Sequence, residues 1–247
     1  MISQYSRIGL STLSGKLQPG EVISYMEMCS TVGVNLQRGM NFRLKDGESI
    51  ILMSLRPGAP YADRIEDEGR TLIYEGHDVA RTADMPNPKK VDQEDRNPSG
   101  SLTQNGLFAV AAQKYKEGAA PAERVRVFEK IRCGIWTYNG LFKLIDCWIE
   151  QSDGRNVFKF KLQHAGIDEG DRPAFAPAVL EDDRLIPSWV KLEVWKRDKG
   201  RCIECGATSG LHFDHIIPYS KGGSSKDPAN IQILCGRHNL AKHDKIG

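Results

Sequence analysis

Four soft metal ligands near the C-terminus limit what that end of the chain can become. RCIECG supplies Cys202 and Cys205, and LCGRHN supplies Cys235 and His238 about thirty residues later. Two closely spaced pairs on separate turns can close a tetrahedral site around Zn²⁺, and a segment of roughly sixty residues needs such a staple because its apolar core is small. Four protein ligands leave no open position, so this ion is expected to be structural.

The other three cysteines, Cys29, Cys133 and Cys147, are scattered in apolar surroundings. The set therefore reads as one metal site plus reduced core thiols, which suits a reducing compartment. No apolar run approaches the roughly 18 residues that a membrane-spanning helix needs, and the N-terminal stretch lacks the apolar core of a secretory signal. A cytoplasmic protein without membrane contact is the expectation. Residues 186–247 carry a net charge of about +4 against about −2 for the rest, which permits a phosphate-bearing partner without demanding one.

Between the two halves of the metal clasp runs LHFDHIIPYSKGGSSKDPANIQIL, followed at once by HNLAKHDK. Phosphodiester hydrolysis needs a base that is neutral near pH 7 to activate water, and a divalent cation to stabilise charge on the phosphate and the leaving oxygen. His215 has the unperturbed pKa for the first task. Asp214, Asn239 and His243 offer ligands for the second, and on a helix Asn239 and His243 would share a face. Asn230 is placed to fix the His215 ring by hydrogen bonding.

Taken together, Cys-x-x-Cys, Asp214-His215-Ile-Ile-Pro, Gly222-Gly223, Asn230 before a strand and Cys-x-x-His-Asn with Lys242 resemble the HNH family of ββα-metal nucleases. The resemblance implies that His215 is the general base, that Asp214 and Asn239 bind a catalytic Mg²⁺ or Mn²⁺, and that Asn230 orients the base. His238 stands where many relatives have a fourth cysteine, a change zinc tolerates.

Further upstream, ESIILMSL, RTLIYEG, RVRVFEKI, YNGLFKLIDCWIE and NVFKFKLQ are short runs rich in β-branched and aromatic residues, bounded by turn formers. They predict strands. GLFAVAAQKYKEG predicts one helix, with Leu107, Val110, Ala111 and Tyr115 on its apolar side and Gly118 as its stop. The polar stretch 77–101 exceeds the usual length of a connection and reads as either functional or disordered. Pro, Gly and acidic residues from 165 to 184 predict a linker. The expected organisation is a first domain at 1–164, a linker at 165–184 and a second domain at 185–247, with an α+β fold overall.

In the first domain, PYADRIEDEGRTLIYEG places Tyr61 and Tyr74 on either side of an acidic turn, with Asp63 beside the first ring. Two aromatic rings can sandwich an extruded base while a carboxylate accepts a hydrogen bond from an exocyclic amine. A pair of tyrosines in a β domain is more often core or rim. The ordered set Tyr61-x-Asp63, Asp67-x-Gly69, Tyr74-x-Gly76, TQNGLFAVAA, RVRVFEKI, TYNGLFKLIDCWIE and VFKFKLQ nevertheless resembles the SRA domain of modified-cytosine readers, in which Tyr-Asp-Gly stands where this chain has Tyr138-Asn139-Gly140.

That resemblance implies a mostly β, PUA-like barrel. Tyr61 and Tyr74 would stack on a flipped 5-methylcytosine or 5-hydroxymethylcytosine and Asp63 would read its edge, while Lys89, Lys90 and Arg96 of the long loop are available for phosphates. An SRA-like barrel fused to a zinc-stapled HNH domain would be a modification-dependent, type IV-like endonuclease acting on double-stranded DNA that carries modified cytosine. One HNH site cuts one strand per engagement, so double-strand cleavage calls for a homodimer, two bound molecules or sequential nicks. Two alternatives stay open: an HNH nuclease or nickase indifferent to modification, and a noncatalytic reader of modified DNA.

Overall fold

The computed structural model describes residues 17–36, 38–45, 47–166, 185–218, 221–242 and 246. Strand β1 (Glu21–Ser24) runs directly into helix α1 (Tyr25–Val32). A capping box sets the switch. Ser24 Oγ accepts from the Glu27 N–H at 3.2 Å and the Glu27 carboxylate accepts from the Ser24 N–H at 2.9 Å, which satisfies two donors that the first turn would leave orphaned.

Short strands β2 (Met40–Asn41), β3 (Ser49–Met53), β4 (Arg64–Glu66) and β5 (Thr71–Glu75) follow. Helix α2 (Gln104–Lys116) then leads to three long strands, β6 (Glu123–Arg132), β7 (Ile135–Ser152) and β8 (Arg155–His164). All five apolar runs expected to be strands are strands.

The longest of them, β7, organises the sheet. Its first part pairs with β6 and β1, its later part with β8, and β8 pairs in turn with β5. Register shifts between Val127 and Phe128 and between Leu144 and Asp146 interrupt the ladders on its two sides, and bulges of this kind bend a strand. Strands from both arms therefore share one core that includes Met40, Ile51, Leu72, Phe142 and Phe160.

Helix α2 closes that core with a different face from the one the spacing suggested. Phe108 and Ala112 are buried, whereas Val110 and Tyr115 are each 40% exposed. The reason is polar: buried Asn105 accepts from the His77 N–H and donates to the His77 carbonyl. Gly106 packs so closely on Asp95 that a Cβ would lie 2.1 Å from its carbonyl oxygen. These contacts fix the helix rotation.

The 77–101 loop is held by similar means. The Gln93 side chain donates to Gly76 O at 2.6 Å and accepts from the Phe158 N–H at 2.9 Å, and Asp92 accepts two hydrogen bonds from Asn156.

The C-terminal half comprises α3 (Ser188–Arg197), β9 (Leu211–His215), β10 (Ile231–Cys235) and α4 (Gly236–Lys242). Its hairpin is antiparallel, with Asp214 opposite Gln232 and His215 opposite Ile231. On its other edge β9 pairs with β1, Glu21 opposite His212 and Val22 opposite Leu211, so the sheet runs unbroken in the order β10-β9-β1-β7-β6-β3-β2. The stretch read as a linker lies outside the described residues from 167 to 184. No helix among the described residues is long and apolar enough to cross a membrane.

Candidate functional site

A cavity of about 410 Å³ opens where the chain turns from β3 toward β4, lined by Ser54, Leu55, Arg56, Tyr61, Asp63 and Ile65 among others. Asp63 is fixed by backbone donors, accepting from the Glu75 N–H at 3.0 Å and the Ser54 N–H at 3.3 Å. Burial pushes its carboxyl up to about 7; the neighbouring Glu75 adds to the rise, and the two N–H donors oppose it. The Tyr61 ring carries the Lys89 ammonium 3.8 Å from its centroid, a cation–π contact.

Tyr74, expected to be the second stacking ring, does not line this cavity. It is 2% exposed in the core beside Met40, Met53 and Phe108, and a Cβ on Gly39 would fall 2.5 Å from its hydroxyl. The cause is topological: β5 lies between β4 and β8, and all five of its residues are buried. The phosphate role foreseen for Lys89 is also changed, because its ammonium pairs with Asp78 at 3.0 Å. Arg96 donates to Gly100 O at 2.8 Å, and Lys90 is exposed.

Behind the cavity lies a charge cluster that sequence reasoning missed. Glu75, 3% exposed, accepts from Lys159 at 2.9 Å, from the Ala62 N–H at 3.1 Å and from Arg155 at 3.4 Å. Arg155 also reaches Asp78 at 2.6 Å. Buried charges persist only when paired, and these pairs stiffen the wall that carries Tyr61 and Asp63. The signal in the sequence was Lys159 set between Phe158 and Phe160.

At the other site, His215 ends strand β9 and its Nε2 lies 2.8 Å from Ser225 Oγ. Asp214 Oδ2 accepts from Gln232 at 2.8 Å and pairs with Lys242 at 3.0 Å. Lys242 also donates to the His215 carbonyl at 2.5 Å, so an ammonium already rests on the carboxylate read as a cation ligand. Both contacts fall on Oδ2. Asn239 is half-buried on α4, which packs across β9; His243 lies outside the described residues.

Asn230 serves differently from expectation. Its carbonyl accepts from the Ile217 N–H at 2.8 Å and its amide donates to Ile217 O and Ser224 O at 3.0 and 3.2 Å. Both amide protons are thus committed to backbone, and the side chain staples the loop rather than the His215 ring. Gly223 makes the staple fit, since a Cβ there would lie 1.7 Å from Ile217 O. Ser225, on that same loop, makes the ring contact, and nothing in the motif singled it out.

The clasp is assembled. Cys202, Cys205, Cys235 and His238 present ligand atoms all within 4.8 Å of one another. Cys205 and Cys235 Sγ are 3.8 Å apart, and His238 Nδ1 lies 3.3 and 3.4 Å from the Cys202 and Cys235 sulfurs. Tetrahedral zinc with Zn–S near 2.3 Å places sulfurs about 3.8 Å apart, so the donor set fits that ion.

A second cavity of about 930 Å³ separates the two sites. Leu55 and Ile65 line it together with Glu66, Leu185, Trp189 and Ser225, among others. It shares Leu55 and Ile65 with the Tyr61 cavity and reaches the His215 partner at its far end.

A model of the SAD/SRA domain matches residues 14–166. The chain belongs to the SAD/SRA domain family. A model of the HNH endonuclease domain matches residues 202–245 of the same chain, so an SRA domain is followed by an HNH domain. Among solved structures the chain is similar to the SUVH5 SRA domain in complex with hemimethylated CG DNA, at 26% identity over 62% of this chain and 91% of that one, TM-score 0.42. It is also similar to the same SRA domain bound to fully hydroxymethylated CG DNA, at 23% identity over 63% and 93%, TM-score 0.42. No curated protein matches the chain.

Proposed function

We propose that this SRA-HNH protein is a modification-dependent DNA endonuclease. In this reading the SRA domain flips 5-methylcytosine or 5-hydroxymethylcytosine from double-stranded DNA into the Tyr61–Asp63 cavity, and the HNH domain hydrolyses a phosphodiester bond nearby. The observation that carries the reading is the pairing of a concave site offering one aromatic face and one backbone-held carboxylate with an Asp-His site on the same sheet. The larger cavity between them supports one DNA duplex engaging both.

Each residue has a task. Tyr61 stacks on the extruded base once Lys89 yields its face, and Asp63 accepts from the exocyclic amine. His215 takes a proton from water, whose oxygen bonds to phosphorus as the bond to the leaving sugar oxygen breaks. Ser225 holds the His215 ring, and Asn230 holds the loop that carries Ser225. A Mg²⁺ or Mn²⁺ ion bound by Asp214 and Asn239, with His243 as a further candidate ligand, would supply Lewis-acid stabilisation of the phosphate. Zinc in the cysteine-histidine clasp is structural. Residues 1–164 form the reader and 185–247 the nuclease, with cleavage of both strands requiring a homodimer, two molecules or two nicks.

The test is digestion of matched unmodified, 5-methylcytosine and 5-hydroxymethylcytosine plasmids with Mg²⁺ or Mn²⁺, with His215→Ala as the contamination control. Cleavage confined to modified DNA and absent from the variant is the expected result. Equal cutting of all three plasmids would refute modification dependence, and no cutting in any metal would leave a noncatalytic reader.

A further inference from the structure

The Tyr138-Asn139-Gly140 segment, where the SRA pattern has Tyr-Asp-Gly, sits at the junction of the two halves. Asn139 is fully buried, and it meets a side chain from the other half: Lys191 of α3. The Lys191 ammonium donates to Asn139 Oδ1 at 2.8 Å and to Glu129 Oε2 at 2.7 Å, and the Asn139 amide donates to the same Glu129 oxygen at 3.0 Å. Glu129 and Lys191 are 1% and 2% exposed.

The three groups close a ring. Asparagine suits the middle position because its amide offers an acceptor to the ammonium and a donor to the carboxylate at once. An aspartate there would set two carboxylates against one ammonium and take away Glu129's donor. The departure from Tyr-Asp-Gly is therefore matched to a lysine that arrives from the nuclease half.

Around the ring the junction is continuous backbone. Gly20 N–H donates to Tyr138 O at 2.8 Å, Phe213 N–H donates to Gly20 O at 3.1 Å, and β1 carries the sheet from β7 to β9. Val22 of β1 packs into the C-terminal core, and Leu185 sits where a Cβ on Gly69 would lie 2.8 Å away. Pulling the halves apart would strand a buried carboxylate and a buried ammonium and break a strand ladder. The strand held in this way, β9, carries Asp214 and His215.

We infer that Lys191, with Glu129 and Asn139, is a positioning residue that locks the nuclease strand to the reader sheet. The distance from the flipped base to the cut is then set by the fold and not by the length of chain between Gly166 and Leu185. This rests on the functional reading above and goes beyond it, since a tethered nuclease would also cut modified DNA but at offsets governed by its tether.

The experiment uses the full chain on a linear duplex with one modified cytosine, and maps the cut ends at single-nucleotide resolution. Three proteins are compared: wild type, Lys191→Met, and a variant with about ten Gly and Ser residues inserted between Gly166 and Leu185. The insertion is expected to leave the cut offsets unchanged, whereas Lys191→Met spreads them over several positions with affinity for modified DNA retained. Offsets that shift or spread with the insertion would overturn the lock. So would wild-type offsets from a folded Lys191→Met protein. If Lys191→Met does not fold, the insertion variant still decides, because it leaves the ring intact. If wild type cuts modified and unmodified DNA alike, the functional reading fails and the lock is judged by small-angle scattering instead. An unchanged interdomain distance distribution after the insertion supports it, and a broadened one refutes it.

Discussion

The reader half fills its interior from eight strands and two helices, with Tyr74, Phe108, Phe128, Phe142 and Phe160 each at most 2% exposed. The nuclease half assembles its core around α3 and one hairpin, and adds Val22 from the other half. The first can hold a site with packing and buried ion pairs. The second has a smaller core, a cysteine-histidine clasp fit for a metal and its neighbour's sheet to keep His215 and Asp214 in place. The two halves should therefore fail differently, and each prediction below tries to erase or enlarge that difference.

The largest expected effect is loss of the metal. Structural zinc contributes apparent binding free energies of about 10–16 kcal/mol in zinc-finger peptides, more than a core of this size supplies. Replacing Cys202 and Cys205 with serine should melt α3, β9, β10 and α4 while β6, β7 and β8 stay folded. Hydrogen exchange read by mass spectrometry checks this. Equal protection across both halves in the variant would show that the sheet alone holds the nuclease.

Next comes His215→Ala. A positioned base contributes typically 10²- to 10⁴-fold, so cleavage should fall by at least about that much with DNA affinity unchanged. Single-turnover rates and a binding isotherm on the same modified duplex separate the two. A proportional loss of affinity would make His215 a binding residue instead.

The two tyrosines come next, and they should part company. Tyr74→Ala empties a core position, and loss of an aromatic side chain there costs about 3–5 kcal/mol of stability. Tyr61→Ala should leave the thermal midpoint nearly unchanged but weaken binding to modified DNA by about 1–3 kcal/mol, the value of one stacked base. Binding to unmodified DNA should change less. If Tyr74→Ala is stable and loses selectivity, the buried ring has a second conformation that faces the base.

These contrasts mark how far the sequence could be read. Strands showed in it because β-branched runs between turn formers are a local signal, and the clasp showed because ligand spacing is one too. The capping box at Ser24 and Glu27 was equally local and was overlooked. By contrast, the burial of Tyr74 depends on β5 lying inside the sheet, which is a matter of strand order. Ser225, not Asn230, meets the His215 ring because Gly223 lets the loop fold back on Ile217, a contact no spacing rule contains. The ring brings Lys191 to Glu129 and Asn139, 62 and 52 positions earlier, and a lone lysine in an amphipathic helix normally reads as solvated.

The smallest expected effect concerns Asp63, whose carboxylate is held by the backbone N–H groups of Ser54 and Glu75. Burial raises its carboxyl to about 7, above the usual carboxylate value. A raised carboxyl is an asset in its neutral form. The stability it contributes is complete below about pH 4, where the unfolded chain is also protonated, and is lost as the pH rises through about 7. The loss should be on the order of 1–2 kcal/mol, read as a drop in the urea midpoint between pH 5 and pH 8.5. Asp63→Asn should flatten that slope. Binding should run the other way, since accepting from a base's amine requires the carboxylate: affinity for modified DNA should rise from pH 6 to pH 8 in wild type and not in Asp63→Asn. A wild-type affinity that does not change over this range would show that Asp63 holds the pocket's backbone without reading the base.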